Sequence, residues 1–419
     1  MTGNLLQTTL GSVLEFANGR ASPARVSGNP YPVYGSNGII GYASEANADE
    51  ATIVIGRVGS YCGSLYFAKD RCWVTDNAIR ATALGDNDPR YLFYLLNTLA
   101  LNNWRAGSGQ PLLNQDILSR IPISIPDAVE QRAIAAILGA LDDKIELNRR
   151  MNETLEAMAR AIFKSWFVDF EPVRAKMDGR WRRGQSLPGL PADLYDLFPD
   201  SFEDSELGKI PSGWRTGTFG EIADNPRIGV SPEQIPDGAV YVGLEHIPKR
   251  SIALDSWGTS DGLESGKFRF SAGDVLFGKL RPYFHKVAVA PESGVCSTDI
   301  LVIRPKSSEW GAFTICLASS TELVEYASAL ADGTRMPRTN WHDLARYETV
   351  LPPAAVAAVF DRHTVPLIQS IEENIRESRT LAAIRDALLP KLISGEIRLQ
   401  SSGQVAEALR IDAVGDRDL

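Results

Sequence analysis

The chain has 419 residues, of which 44% are hydrophobic, with 24 Pro and 35 Gly. These values indicate a globular protein of two or three domains and exclude a collagen-like or a disordered chain. The formal net charge of −9 excludes nucleic-acid binding through overall charge, but it leaves room for local basic faces.

Cysteine and histidine are sparse and scattered. Cys62, Cys72, Cys296 and Cys316 form no CxxC pair, and there are only four histidines. A structural zinc site is therefore not expected, and the cysteines are predicted to be buried and reduced. The N-terminus lacks the pattern of a signal peptide, and no apolar run approaches the roughly 20 residues that span a bilayer. We therefore expect a soluble, cytoplasmic protein without a membrane partner.

Residues 1–126 predict a domain of short strands and loops. Short apolar runs such as YPVYGSNGIIGYA and ATIVIGRVGS are bounded by Gly and Pro, which is typical of strands and turns. One helix is predicted from Asp88 to Leu101, where apolar residues recur at helical spacing.

Residues 127–170 predict one long amphipathic helix with a possible kink at Gly139. Asp127 can cap it, Glu130 stands at the spacing of a capping box, and Pro172 ends it. Its apolar residues recur in steps of three and four, as in a coiled coil. This predicted seam consists of Ile134, Leu138, Leu141, Ile145, Leu155, Met158 and Ile162.

The remainder divides into four segments. Residues 171–206, rich in Pro, Gly and charge, predict a connector, and residues 207–352 predict a second domain of short strands and turns. Residues 353–399 predict a second helical region, and residues 400–419 a frayed tail.

The second half of the chain repeats the first. GSGQPLLNQDILSRIPISIP aligns without a gap with GTRMPRTNWHDLARYETVLP at an offset of 226 residues (from 107 to 333). Upstream, IGRVGSYCGSLYFAKDRCWVTDNAI resembles FGKLRPYFHKVAVAPESGVCSTDIL if one gap is allowed, which places Thr75 and Asp76 opposite Thr298 and Asp299.

The two helical regions follow the same offset, which places Asn148 opposite Asn374. Two interpretations of these asparagines remain open: a polar seam position that fixes register, or an exposed flank. In the second region we expect Pro366 to separate a short helix from a long one.

Each helix has one apolar stripe, and the nearest partner is the other helix. The sequence thus predicts an α+β protein with a pseudo-twofold internal repeat. Two domains of mixed short strands and helices are separated and joined by two long helices, which form an antiparallel coiled coil. Two domains held by such a helical ruler fit a two-part site on a duplex.

Several sequence blocks resemble those of the specificity subunit of type I restriction–modification enzymes. They are the EQRAIAAILGALDDKIELNRRMNETLE block ending at Glu156, AIFKSWFVDFEPV from Ala161, GKIPSGW from Gly208 and LLPKLISGEIRL from Leu388. The second helical region departs from the pattern, because Val356 and Ala357 replace the EQ pair.

The resemblance implies a protein with two target-recognition domains, each reading half of a bipartite sequence in double-stranded DNA. It also implies a complex with two modification (methyltransferase) subunits, which bind S-adenosylmethionine, and with restriction subunits, which translocate DNA with ATP and Mg. No catalysis and no cofactor are expected in the chain itself.

The chain contains no recognisable catalytic motif. An amino-methyltransferase requires a [DNS]PP[YF] sequence, and Asn29-Pro30-Tyr31 and Asp88-Pro89-Arg90-Tyr91 both lack its paired prolines. No P-loop and no nuclease cluster is found. We therefore predict a non-catalytic subunit of a restriction endonuclease and adenine-DNA methyltransferase complex.

Base readout requires Arg, Lys, Asn or Gln on loops, whereas phosphate contacts require only positive charge or polar groups. Each candidate could instead be a solvated surface residue, and Asn114 and Asn340 could cap the helices that follow them. The predicted DNA-binding residues are Arg57, Lys69, Arg105, Ser108, Gln110, Asn114, Lys279, Arg281, Lys286, Thr334, Arg335, Arg338 and Asn340, with Arg71 and His285 as further candidates.

Three alternatives to this function remain. A coiled-coil scaffold that does not bind DNA is compatible with the acidic charge. A specificity subunit of a related methyltransferase–nuclease system would share the same fold. A fused enzyme is disfavoured by the missing motifs.

Overall fold

A computed structural model describes residues 5–104, 112–331 and 336–399. The chain divides into two units, the first formed by Met1–Lys144 with Thr380–Leu419 and the second by Ile145–Arg379. Each of the two long helices contributes residues to both units.

Short strands dominate the first unit, as its Gly- and Pro-punctuated apolar runs predict. Its elements are β1 Leu6–Thr9, β2 Leu14–Asn18, β3 Tyr31–Gly35, β4 Gly38–Ala43, β5 Thr52–Gly56, β6 Leu65–Ala68, β7 Trp73–Val74, β8 Ala78–Ala83, α1 Pro89–Thr98, α2 Gln115–Ser119, β9 Pro122–Ile125 and the start of α3 Ala128–Phe163. An antiparallel sheet has the order β2-β8-β5-β6, β4-β3-β7 form a smaller sheet, and β1 pairs with β9.

The core of the first unit lies between the four-stranded sheet, α1 and the long helices. Ile53, Ile79, Leu95, Leu138 and Leu392 all belong to this one apolar cluster. The helix predicted from Asp88 is confirmed, because the Asp88 side chain caps α1 by accepting from the backbone N–H of Tyr91.

The second unit repeats this plan with additional elements. Its elements are the rest of α3, α4 Glu171–Met177, β10 Phe202–Ser205, β11 Gly208–Pro211, β12 Arg215–Thr218, α5 Phe219–Ile222, β13 Ala223–Asp224, β14 Gly229–Val230, β15 Val240–Val242, β16 Gly258–Thr259, β17 Lys267–Phe270, β18 Val275–Gly278, β19 Val287–Val289, β20 Gly294–Cys296, β21 Ile300–Pro305, α6 Gly311–Ala318, α7 Thr321–Ala329, α8 Trp341–Ala345, β22 Glu348–Leu351 and α9 Ala354–Ile393. The unit adds α4, the β10–β11 hairpin and two strands, β14 and β17, in its second sheet.

The two units share their sheet topology. The order β13-β21-β18-β19 in the second unit matches β2-β8-β5-β6 in the first, and β12 pairs with β22 as β1 pairs with β9. The parallel pair β15–β20 likewise matches β3–β7. The repeat is therefore a repeat of three-dimensional structure.

One detail of the predicted alignment is wrong. From β5 to β8 the two units correspond without a gap at an offset of 222 residues (from 56 to 278). Asn77 therefore lies opposite Asp299, and the backbone carbonyl of each accepts from the residue after β5 or β18. Aligning the identical Thr-Asp dipeptides, as the sequence suggests, shifts the correspondence by one residue.

In the first unit, the start of α3 is fixed to α1 and to the end of α9. Asp127 caps α3 by accepting from the N–H groups of Val129 and Glu130, as predicted. Asp142 accepts from the Tyr94 hydroxyl at 2.5 Å and from Arg385 of α9 at 2.7 Å. The two long helices thus pack against each other here.

In the second unit, the later part of α3 lies antiparallel to the earlier part of α9. Phe163 and Phe167 at one end contact Phe360, and Asn148 at the other contacts Ser378. The predicted antiparallel pairing is therefore confirmed.

Buried polar residues lie in this seam. Asn148 and Asn152 are buried and bond to α9, whereas Glu156 is buried against the loop at residues 251–252. Met158, a predicted seam residue, and Ile384, its counterpart at the offset of 226 residues, are 47% and 44% exposed. The prediction for Met158 is therefore wrong. The seam interpretation of Asn148 is confirmed.

Two further predictions about the helices are wrong. Pro366 does not divide the second helical region, because α9 is continuous from Ala354 to Ile393. The proline removes one backbone hydrogen bond, but buried residues on both sides, Phe360 and Ile368 among them, hold the helix in place. In addition, α3 ends before Pro172, through a π turn at Lys164–Val168 and a left-handed Phe170.

The segment predicted as a connector is a packed part of the second unit. It includes α4, and Trp181, Leu194 and Phe198 are buried in the same apolar cluster as Trp166. The prediction of a connector is based on the Pro and Gly content. The segment packs because its few large apolar side chains are buried in the core.

Candidate DNA interface

A turn of the same geometry follows the inner strands β5 and β18. It covers residues 57–64 in the first unit and 279–286 in the second. The N–H of the preceding glycine donates to the carbonyl of the last turn residue, at 2.8 Å from Gly56 to Ser64 and 2.9 Å from Gly278 to Lys286. The third and seventh residues of both turns have positive φ: Gly59, Gly63, Arg281 and His285. Non-glycine residues in this conformation cost energy and cluster at functional sites.

Each turn is joined to the segment before a short helix. Leu113 donates to the carbonyl of Arg57 at 3.2 Å, and Thr339 donates to that of Lys279 at 3.1 Å. The turn and the segment thus form one loop surface in each unit, and we call these surfaces the first and second loop surfaces. The first loop surface consists of residues 57–64 and 112–114. The second consists of residues 279–286 and 338–340.

Three cations gather at the second loop surface. The guanidinium of Arg227 lies 5.6 Å from the Phe268 ring centre, and the ammonium of Lys279 lies 5.8 Å from it. Arg338 is paired with Asp299 at 3.4 Å. One carboxylate therefore faces three positive side chains, which leaves net positive charge.

The pKa of Lys279 reflects this crowding. Partial burial lowers the pKa of Lys279, Asp299 opposes that effect, and Arg227 and Arg338 lower the pKa further. A phosphate placed beside these cations would relieve their mutual repulsion, so the second loop surface is suited to bind an anion.

The first loop surface holds Arg57 at the position of Lys279. Its Nε atom is buried and, within the part of the chain that the structure describes, has no hydrogen-bond partner. Arg20 is exposed and lies close to this turn. Its backbone N–H donates to the carbonyl of Val74, and its carbonyl accepts from the N–H of Asp76, at the end of β7.

Several predicted DNA-binding residues have partners within the protein. Lys69 donates to Asp143 of α3 at 2.5 Å, and Lys286 donates to the carbonyl of Leu244. His285 is buried and lies 2.9 Å from the carbonyl of Ser319, and burial lowers its pKa. Arg71 pairs with Asp49 at 3.7 Å. Lys286 and His285 lie in the second turn but are held by these contacts, whereas the side chains of Lys69 and Arg71 are 51% and 58% exposed. Their role in DNA binding stays a prediction.

The two matched asparagines are helix caps. Asn114 accepts from the N–H of Ile117 at 2.8 Å, and Asn340 accepts from that of Asp343 at 3.0 Å. The capping alternative is thus confirmed for both. Arg281 lies in the second turn, where its N–H donates to the carbonyl of Pro337.

The remaining predicted residues lie outside the described residues: Arg105, Ser108, Gln110, Thr334 and Arg335.

Arg20 and Arg227 were not predicted. Both follow the first strand of the four-stranded sheet, β2 or β13, where no sequence match marks them. The shared topology identifies them, because in each unit it brings the end of β2 or β13 close to the turn at residues 57–64 or 279–286.

The described residues hold no cluster of three or more His, Cys, Asp or Glu side chains able to bind a metal. All four cysteines are buried and free, as predicted, and burial raises the pKa of Cys72 to about 11 and that of Cys296 to about 12. Among the helices of the described ranges, none has the length and apolar character needed to cross a membrane.

Known proteins resemble this chain in both sequence and fold. A model of the type I restriction modification DNA specificity domain matches residues 7–157. The type I restriction enzyme MjaIX specificity subunit of Methanocaldococcus jannaschii is 26% identical over 329 residues, which cover 74% of this chain and 69% of that protein.

Two further relatives extend the match. The HindI specificity subunit of Haemophilus influenzae is 27% identical over 381 residues, covering 74% of this chain and 77% of the relative. The EcoDI specificity subunit of Escherichia coli is 23% identical over 403 residues, covering 93% and 88%. Over most of its length the chain is therefore similar to type I restriction–modification specificity subunits.

A solved structure has a similar fold. The crystal structure of a type I restriction–modification system S subunit from M. genitalium superposes with a TM-score of 0.56 at 15% identity, covering 93% of this chain and 96% of the other.

Proposed function

We propose that this chain is the DNA sequence-specificity subunit of a type I restriction–modification complex. Each unit reads one half of a bipartite target in double-stranded DNA. The chain is non-catalytic, and the methyltransferase and restriction subunits that it docks bind S-adenosylmethionine, ATP and Mg. DNA and these two kinds of subunit are its partners.

The observation that carries this proposal is the repeated loop surface. Two units with the same topology each place a cation, Arg57 or Lys279, directly after the inner strand and beside a capped helix. Duplication of both fold and charge fits a ligand that itself has two similar parts, as a bipartite duplex does.

The cations divide into two roles. Exposed Arg338 and partly buried Lys279 supply the positive charge that phosphates require. Base discrimination then falls to side chains held rigidly in the turns, because readout requires a fixed donor and acceptor geometry.

Docking of the modification subunits is supported by an apolar face on α3. Leu147, Met151 and Met158 are exposed by 53%, 39% and 47%, and their spacing places them on one side of the helix. Exposed apolar residues that share a face mark protein interaction sites.

A gel-shift experiment with the purified complex of this chain and its modification subunits tests the proposal. The probe is the bipartite site that the complex methylates in its host, and the controls are duplexes with one or both halves scrambled. We expect affinity to fall by a factor of ten or more for each scrambled half, since each mismatch costs about 1–3 kcal/mol.

Equal binding to all of these duplexes would contradict the proposal. Binding that lacks a steep dependence on salt would instead favour the scaffold function, because phosphate contacts release counterions.

A further inference from the structure

An exposed tyrosine occupies the same position in both turns. Tyr61 in the first and Tyr283 in the second are 49% and 53% exposed. They correspond at the same offset of 222 (from 61 to 283) that relates the strands on either side. The correspondence is therefore one of structure and not only of sequence.

The backbone presents both rings in the same way. Each tyrosine lies in a short 3-10 turn, Gly59–Tyr61 or Pro282–Phe284. The residue after Tyr61, Cys62, donates to the carbonyl of Gly59 at 3.1 Å, and Phe284 donates to that of Arg281 at 2.9 Å. A rigid turn fixes the direction of an aromatic side chain that has only two rotatable bonds.

Packing does not explain why tyrosine stands at both positions: the Tyr283 ring lies 4.8 Å from that of Phe284, but the residue after Tyr61 is a cysteine. The other turn residues differ between the units, since Gly59, Cys62 and Gly63 lie opposite Arg281, Phe284 and His285. Half of each tyrosine side chain faces solvent. A large aromatic group held in solvent at a repeated position is suited to bind a partner.

The charge around the rings indicates the nature of that partner. Tyr61 lies in the turn that begins at Arg57, and Tyr283 lies in the turn that begins at Lys279, beside Arg338. Cations that contact phosphate, combined with a rigid aromatic ring, are the elements with which proteins hold nucleic acid.

We propose that Tyr61 and Tyr283 are a matched pair of specificity-determining DNA contacts, one for each half of the target. Each ring packs against base edges and sugars in a groove, while the neighbouring cations hold the backbone. This inference rests on the proposed function and adds to it the residues that face the bases.

The test uses the complete complex with modification subunits and three duplexes: the methylated target and the target with either half scrambled. Tyr61→Ala and Tyr283→Ala are compared with Tyr61→Phe and Tyr283→Phe, which keep the ring. Affinity is measured by fluorescence anisotropy, and thermal unfolding shows that each variant is folded. Tyr42→Ala, at an exposed tyrosine of β4 in the first unit, is the matched control.

We expect each alanine variant to bind the target about tenfold or more weakly, given about 1–3 kcal/mol for the loss of recognition at one base pair. Scrambling one half should abolish the effect of one tyrosine, and scrambling the other half should abolish the effect of the other. The phenylalanine variants and Tyr42→Ala should bind nearly as the unmodified complex does.

Unchanged affinity of both alanine variants would overturn the inference, as would a loss that persists whichever half is scrambled or an equal loss in Tyr42→Ala. If the unmodified complex still separates the target from scrambled DNA, only the tyrosine pair fails. If it does not, the proposed function fails with it.

Discussion

The side-chain amide of Asn374 in α9 donates a hydrogen bond to Oδ1 of Asn152 in α3, 2.8 Å away. In the matching position, the Asn148 amide donates to Oγ of Ser378 at 3.2 Å and to Glu377 at 2.7 Å. In the internal repeat, Asn148 corresponds to Asn374 and Asn152 corresponds to Ser378. The bond from Asn374 to Asn152 is therefore the counterpart of the bond from Asn148 to Ser378. A twofold relation between the paired segments produces this correspondence.

Asn374→Ala should destabilise the second unit. It leaves Asn152, which is only 7% exposed, without its donor, and an unsatisfied buried polar group costs about 1–3 kcal/mol. Chemical unfolding of the chain measures the loss. The control is Gln369→Ala, at an exposed position of the same helix, which should change stability by less than about 0.5 kcal/mol. Equal stability of the two variants would show that the asparagine pair does not hold the helices.

Insertion of one heptad after Met151 tests whether the helices set the spacing of the target. The inserted turns separate Asn148 from Asn152 and should destabilise the seam. A second heptad after Arg376 restores the bonds of Asn148 to Glu377 and Ser378 and that of Asn374 to Asn152. The doubly extended chain should prefer a spacer longer by about three base pairs, because a heptad adds about 10 Å of helix. Methylation mapping reads the spacer, and an unchanged spacer together with unchanged stability would refute the helical ruler.

Asp143 makes the stability of the first unit sensitive to acid. Hydrogen bonds from Arg90 and Lys69 lower the pKa of Asp143 from 3.8 to about 2. A carboxylate with a lowered pKa contributes stability that is fully present above pH 4 and is lost as the pH falls through 2.

Asp143→Asn should therefore lower stability at neutral pH, by on the order of 1 kcal/mol because the side chain is 47% exposed, and should flatten the pH dependence between 4 and 2. Unfolding curves across that range provide the measurement. Asp116→Asn is the control, because Asp116 forms an exposed pair within one helix. A variant as acid-sensitive as the unmodified chain would contradict this role.

The cations of the second loop surface should contribute mainly through phosphate contacts. Arg338→Ala should weaken DNA binding to all sequences and reduce the slope of log affinity against log salt by about 1. Lys209→Ala, at an exposed lysine of the β10–β11 hairpin, should leave both quantities unchanged. Anisotropy titrations at several salt concentrations measure the slope. A slope that Arg338→Ala does not change would place the phosphates elsewhere.

The sequence predicts the architecture well because the features that set it are periodic or repeated. Asn148 and Asn374 coincide at one offset, and Asp88 and Asp127 carry local capping signals, so short-range patterns suffice. Predictions that depend on tertiary partners are weaker. Nothing beside Lys69 in the sequence indicates Asp143, and nothing beside His285 indicates burial against Ser319.

The loop surfaces illustrate the same limit. From the sequence, Asn340 could either contact a base or cap a helix. Only the hydrogen bond that it accepts from the N–H of Asp343 identifies it as the cap. Arg227 joins Lys279 because β13 and β18 run in the same direction on either side of β21 and end at the same edge of the sheet, which no motif records. Pro366 shows the converse, since packing along α9 outweighs a strong local signal for a break.

Methylation mapping of the host genome, with this chain present, absent or carrying Lys279→Ala with Arg338→Ala, tests the central claim most directly. The account predicts one bipartite methylated motif that disappears without the chain and returns with it. The double substitution should reduce methylation of that motif without creating a new one. A motif that persists in the absence of the chain would contradict sequence recognition by this protein.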